Sequence, residues 1–176
     1  MSINWFPGHM VKARKEIQEN LKLVDMVTML LDARAPYSCR NPQLEEMINP
    51  KPTILVLNKM DLAPTADTRR HLEQLRNEGR LAAAMDSTSG KGSREVLQLI
   101  ATAFTPIQED LQRRGRRNRP ARVMIVGVPN VGKSSFLNSL AGKKVATTGA
   151  RPGVTLGKQW VRVRDDIEFM DTPGLM

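Results

Sequence analysis

At 176 residues and 40% apolar content, the chain has the length and composition of one packed globular domain. A net charge of +9 and a pI near 10.2 point to a polyanionic partner, and with only two Trp, one Tyr and four Phe, phosphate contact is expected over base stacking. One cysteine and two histidines exclude an intramolecular disulfide and a Cys/His zinc site, and no apolar run approaches the ~18 residues of a membrane-spanning helix.

From Gly8 to Leu23, apolar Met10, Ala13, Ile17, Leu21 and Val24 recur at spacings of three and four, with Lys12, Arg14, Lys15 and Lys22 mainly between them. That pattern predicts an amphipathic helix with a basic outer side, occupying the N-terminal segment 1–23. Residues 26–31 read as a buried strand ending at Asp32-Ala-Arg34, and Cys39 in the loop behind it is an incidental thiol. A short helix from Pro42 to Ile48 leads to a strand at 53–57. Asp67 is placed to cap a helix running to Gly79, with Leu72 and Leu75 inward and His71 solvated. Leu81 to Met85 form a strand, and Val96, Leu97, Ile100 and Phe104 mark the next helix. The pattern then lapses over 106–121, where Arg113, Arg114, Arg116, Arg117 and Arg119 crowd a polar stretch read as a basic linker able to touch RNA. Strands alternating with helices imply an α/β fold with a mostly parallel sheet covered on both faces.

The chemistry sits at strand ends. Val123, Met124, Ile125 and Val126 run into Gly127-Val-Pro-Asn-Val-Gly-Lys-Ser134, and Phe136, Leu137 and Leu140 continue at helical spacing up to Gly142. This is a phosphate-binding loop, in which the backbone N–H groups around Asn130, Val131, Gly132, Lys133, Ser134 and Ser135 cradle phosphate oxygens at a helix start. Lys133 would reach the β/γ-phosphates and Ser134 would ligate Mg²⁺. Asn58-Lys59-Met60-Asp61 follows the strand at 53–57 and has the form by which GTPases read guanine. The Asp61 carboxylate can accept from guanine N1 and N2, where adenine offers no donor, so ATP is disfavoured. Asn58 touches the base or ties loops together, and the Lys59 stem lies on the purine face. Asp86 and Ser87 match the loop that completes the base pocket. Asp171-Thr-Pro-Gly174 supplies a carboxylate for Mg²⁺ through water and an N–H, that of Gly174, for the γ-phosphate. Thr155, between the phosphate loop and Asp171, is the candidate switch threonine on Mg²⁺.

In an ordinary GTPase the phosphate loop precedes the base-reading motif; here the order is inverted. The fold expected is therefore a P-loop NTPase, a Rossmann-like three-layer sandwich in circularly permuted order spanning 1–176, with 106–121 joining the permuted halves. Together with the Trp5-Phe-Pro-Gly-His-Met10 start, the chain resembles the ribosome biogenesis GTPase A (YlqF/RbgA) family of circularly permuted GTPases. The resemblance implies a cytoplasmic, monomeric factor that binds GTP or GDP and docks on rRNA and proteins of the large (50S) ribosomal subunit in the GTP state. Hydrolysis, stimulated by the ribosome, would release it. The alternative is a module in which GTP licenses RNA docking and hydrolysis is incidental. The resemblance implies a C-terminal helical RNA-binding domain after the Asp-x-x-Gly element, which is not expected within residues 1–176. Leu175 stands where Ras-like enzymes carry a water-orienting Gln, which leaves that task to another group. A lone His at a helix start reads as a capping or surface residue, whereas the resemblance nominates His9 as the candidate catalytic residue. Related GTPases with Asn at the place of Asn130 use K⁺ beside the phosphates, which makes K⁺ a candidate here.

Overall fold

The computed structural model describes the backbone of residues 7–127, 132–143 and 159–171, and the side chains of 14–127, 132–143 and 160–170. In chain order the elements are α1 (Pro7–Leu21), β1 (Met26–Asp32), α2 (Pro42–Ile48), β2 (Thr53–Asn58), a 3₁₀ turn (Met60–Leu62) and α3 (Thr65–Asn77). They continue with β3 (Leu81–Ala84), α4 (Ser93–Arg113), β4 (Ala121–Gly127), α5 (Lys133–Ala141), β5 (Gln159–Arg164) and β6 (Ile167–Asp171).

The strands form one six-stranded sheet in the order β3-β2-β1-β4-β6-β5, parallel except for the antiparallel edge strand β5. Continuous apolar runs in β1, β2 and β4 are buried on both faces, as a parallel sheet sandwiched between helices requires. One face packs Met26, Leu30, Ile54, Val56, Val123 and Phe169 against Val96, Ile100 and Phe104 of α4 and Phe136, Leu137 and Leu140 of α5. The opposite face packs Val27, Met29, Leu31, Leu55 and Leu57 against Ile17 and Leu21 of α1, Leu44 and Ile48 of α2, and Leu75 of α3.

The chain runs outward through β1, β2 and β3, then returns along α4 to lay β4 beside β1 and continues toward the other edge. The strand order therefore reverses between β1 and β4. Ligands of open α/β sheets bind in the crevice beyond the carboxyl ends at such a reversal.

The joining segment departs from expectation. The helix does not lapse near residue 106: α4 continues through Pro106 to Arg113, and β4 begins at Ala121, so the non-helical linker is only 114–120. Pro106 removes one helical donor, but Ile107 and Leu111 extend the apolar stripe of Ile100 and Phe104 at helical spacing and keep the helix on the core. Arg119 in the linker forms a two-point fork on Asp25 at 2.7 and 2.9 Å, and Asp25 also exchanges backbone-directed bonds with Arg122. The linker is thus fastened to the start of β1.

Two smaller corrections concern α3. Its cap is Pro64, whose fixed φ suits a helix entry, while Asp67 lies in the first turn and pairs with Arg70 at 3.1 Å. His71 is half-buried, not solvated; its ring meets Tyr37 edge-on at 5.7 Å.

Candidate nucleotide-binding site

The roots of three candidate loops lie at the carboxyl ends of β2, β3 and β4. The root of the phosphate loop is set by Gly127 at the end of β4 and by Gly132, which caps α5 in the left-handed region at φ 85°. No acidic residue lies in the first turn of α5, so its N-terminus stays electropositive, as an anion site needs. Lys133 and Ser134 open the helix and are half-buried, while Ser135 is exposed. An edge-to-face contact of Phe136 with Phe169 at 5.9 Å seats α5 against β6, next to β4 in the sheet.

The base-reading segment lies beside it. Asn58 is the last residue of β2 and is 2% exposed. Its Oδ1 accepts a 2.7 Å hydrogen bond from the Ser87 hydroxyl, and its Nδ2 lies 3.4 Å from where a Cβ on Gly132 would stand. A residue far along the sequence thus joins the base-pocket loop to the phosphate loop. The Ser87 bond is one that a loop-tying Asn58 would make, and contact with the base stays open beside it. Lys59 takes a left-handed backbone at φ 62°, uncommon outside glycine, and turns the chain into the 3₁₀ turn that holds an exposed Asp61. The turn is tied to the next strand by Met60 N–H on the Met85 carbonyl at 3.1 Å.

Asp86 and Ser87 sit at the end of β3. The Asp86 carboxylate accepts from the Ser89 hydroxyl at 2.7 Å and the Thr88 amide at 2.9 Å. The Ser89 bond, aided by the Thr88 amide, holds its pKa below the ordinary Asp value. Asp86 therefore shapes the base-pocket loop, and Ser87 reaches across to Asn58.

Of the other sequence-nominated residues, Asn130, Val131, Thr155 and Gly174 lie outside the described residues. Asp171 closes β6, which places its backbone on the phosphate-loop side of the sheet; its side chain is outside the described set. His9 is in the first turn of α1, and its side chain is outside that set as well.

Sequence reasoning stopped at Asp32 and Arg34 without giving them a role. Asp32 ends β1 on the same rung as Asn58, and Ala33 N–H donates to the Asn58 carbonyl at 2.8 Å. Their position one strand from the base-reading motif, at the end of an apolar run, was the available signal.

Across the full chain, 46% of residues are identical to ribosome biogenesis GTPase A of Priestia megaterium, and 43% to the protein of that name from Bacillus cereus. Over its whole length the chain is similar to proteins of the ribosome biogenesis GTPase A family. It spans 62% and 60% of the lengths of these two relatives. A family model described as 50S ribosome-binding GTPase matches residues 122–176, the stretch holding the phosphate loop and Asp-x-x-Gly. Among solved structures, the GNP-bound YlqF from Thermotoga maritima superposes with a TM-score of 0.66 at 30% identity, covering 92% of this chain and 57% of that one. The fold is thus the circularly permuted P-loop GTPase fold of this family.

Proposed function

We propose that this chain is the GTP-hydrolysing domain of an assembly factor for the large ribosomal subunit. Supporting the reading above all is Asn58, which fastens Ser87 of the base-pocket loop and packs against Gly132 of the phosphate loop, so that one crevice can hold a base and its phosphates. Asp61 reads guanine N1 and N2 there, with Lys59 along the ring. Lys133 and the N-terminus of α5 hold the phosphates. The donor set fits Mg²⁺: a Ser134 hydroxyl, a Thr155 hydroxyl and an Asp171 carboxylate are hard oxygen ligands. Bound there, the ion would neutralise charge between the β- and γ-phosphates. K⁺ beside Asn130, the γ-phosphate sensor Gly174 and the catalytic role of His9 belong to the same proposal.

The family name of the relatives and the basic surface both favour a ribosomal partner in the cytoplasm, met by a monomer. No helix among the described residues is long and apolar enough to cross a membrane. Single-turnover GTP hydrolysis with and without large subunits tests the activity. Stimulation on the order of tenfold or more is expected. Equal rates would leave GTP as a licence for docking, the rival function.

The RNA-facing part of the linker is smaller than its five arginines suggest. Arg119 is committed to Asp25, so docking falls to Arg113, Arg114, Arg116 and Arg117, all exposed. Arg113 and Arg114 lie near Asp110 in solvated pairs at 4.0 and 3.2 Å, which cost little to exchange for phosphate. Replacing these four with Gln should flatten the salt dependence of subunit binding by roughly 0.7–0.9 log units for each phosphate that is no longer neutralised, with GTP affinity intact. An unchanged slope in co-sedimentation across a KCl series would remove the linker from the interface.

A further inference from the structure

Asp61 is carried on a short exposed turn, and two bonds to guanine require its carboxylate to stand at one angle. That angle is set by Lys59, whose left-handed backbone is unfavourable for a residue with a side chain and persists only where the surroundings impose it. The turn is held from the end of β3, where the Met85 carbonyl accepts the Met60 amide, and its root is held from β1. Asp32 shares a rung with Asn58, and the Ala33 amide holds the Asn58 carbonyl, so the end of β1 grips the residue from which the base-reading turn departs. On its other side β1 pairs Leu30 with Gly127, which puts Asp32 two residues beyond the start of the phosphate loop, in the crevice between the two loops.

The Asp32 carboxylate does not stand alone there. It accepts the Arg34 Nε at 3.0 Å, the Arg34 Nη2 at 2.7 Å and the Arg34 amide at 2.9 Å, a fork that fixes the direction of the guanidinium. Asp32 is mostly shielded, at 17% exposure, while Arg34 opens to solvent at 51%. Arg34 holds the Asp32 pKa below the ordinary value, and the charge of Lys59 adds to the effect. The Arg34 guanidinium in turn is stabilised first by Asp32 and also by Asp61. The charges of Asp32 and Arg34 thus act on those of the base-reading turn, Asp32 on Lys59 and Arg34 on Asp61.

We propose that Asp32 and Arg34 are positioning residues for guanine recognition: the fork on β1 sets Lys59 and, through it and through Arg34, the approach of Asp61 to the base. The proposal rests on Asp61 being the guanine reader. Neither residue needs to touch the nucleotide; each acts through the turn.

The two bonds to guanine allow a sharp test, because hypoxanthine keeps N1–H and lacks the 2-amino group. Affinities for GDP and IDP are measured by titration for the chain and for Asp32→Asn, Arg34→Gln and Asp61→Asn. Misaligning Asp61 weakens the bond to the 2-amino group most, so Asp32→Asn and Arg34→Gln should each shrink the GDP-to-IDP affinity ratio by about threefold or more, with IDP affinity within about twofold. Arg34→Lys, which keeps the charge and loses the fork, should restore part of the ratio. A merely structural role would lower both affinities together and leave the ratio alone, and that outcome overturns the proposal. Arg34 is half exposed, so its variants report even where Asp32→Asn folds poorly. Asp61→Asn must collapse the ratio; if it does not, the reading of Asp61 fails, and the proposal fails with it. A collapse there without any change in the β1 variants would sink the positioning role alone.

Discussion

Lys133→Ala is expected to abolish tight triphosphate binding, lowering GTP affinity by roughly 10²-fold or more, about 3 kcal/mol. The start of α5 is the reason. Lys133 is the first residue of that helix, directly after a left-handed Gly132, and the first turn contains no carboxylate to compete with an anion. Phosphate oxygens arriving at that N-terminus meet backbone N–H groups, and the ammonium supplies the full charge that partial dipoles do not. Half-burial at the base of α5 limits solvent screening of this interaction. Guanosine, which has no phosphate, should bind the variant and the parent alike. Ser134→Ala should instead raise the Mg²⁺ concentration needed for half-maximal binding. A GTP affinity within threefold of the parent for Lys133→Ala would remove this lysine from the phosphates.

The sheet's interior strands were legible because burial on both faces leaves an unmistakable mark. Residues 54–57 and 123–126 are uninterrupted apolar runs, and both prove to lie in interior parallel strands. Their ends carried the two motifs, so the site was readable at the same places as the fold. β5 was not read, although Val161 and Val163 alternate with Arg162 and Arg164 as a strand with one buried face should. Its charges serve the edge: Glu168 of β6 sits between Arg122 and Arg162, 3.4 Å from each, and Trp160 lies against the Arg122 guanidinium. Charge density in that stretch masked the period of two.

The linker misled for the opposite reason. Pro106 and the arginines after it look like punctuation in one dimension, yet Ile107 and Leu111 still face the core and hold the helix. Nor could a string of arginines reveal that Arg119 belongs to Asp25, a pairing between residues distant in sequence and adjacent only once β1 and β4 lie side by side. The same holds within the site. Motif matching nominated Asn58, Ser87 and Gly132 separately; that Ser87 bonds Asn58 and that Asn58 lies beside Gly132 follows from the way the sheet brings their strand ends together. Asp32 and Arg34 belong to no motif that was read, because their importance comes from the neighbouring strand.

Gly92→Ala is expected to be among the most damaging single substitutions in the chain, costing on the order of 3 kcal/mol or more, or preventing folding. Gly92 caps α4 in the left-handed region at φ 92°, where an L side chain is strained. A Cβ there would also overlap the carbonyl oxygen of Ala84 and stand 3.1 Å from the Cα of Met85, both backbone atoms at the end of β3 with no freedom to rotate away. The close approach has a purpose in the site. Asp86 N–H bonds the Lys91 carbonyl, and Met85 bridges to both Leu57 and Met60, so the segment 84–92 folds tightly against the root of the base-reading turn. Forcing Gly92 outward would push this segment off Ser87's partner Asn58 before it unfolded the rest of the domain. Gly79→Ala makes the control: its φ of 81° carries the same kind of backbone strain, but nothing lies within 4 Å of the added methyl. Urea melts should therefore show a modest loss for Gly79→Ala, about 1 kcal/mol, and a much larger one for Gly92→Ala. Losses of equal size would mean that backbone conformation, and not the packing of α4 against the end of β3, accounts for the glycine at 92. A folded Gly92→Ala protein should also bind GDP more weakly than the Gly79→Ala control, since the displaced loop is the one that Asn58 holds through Ser87.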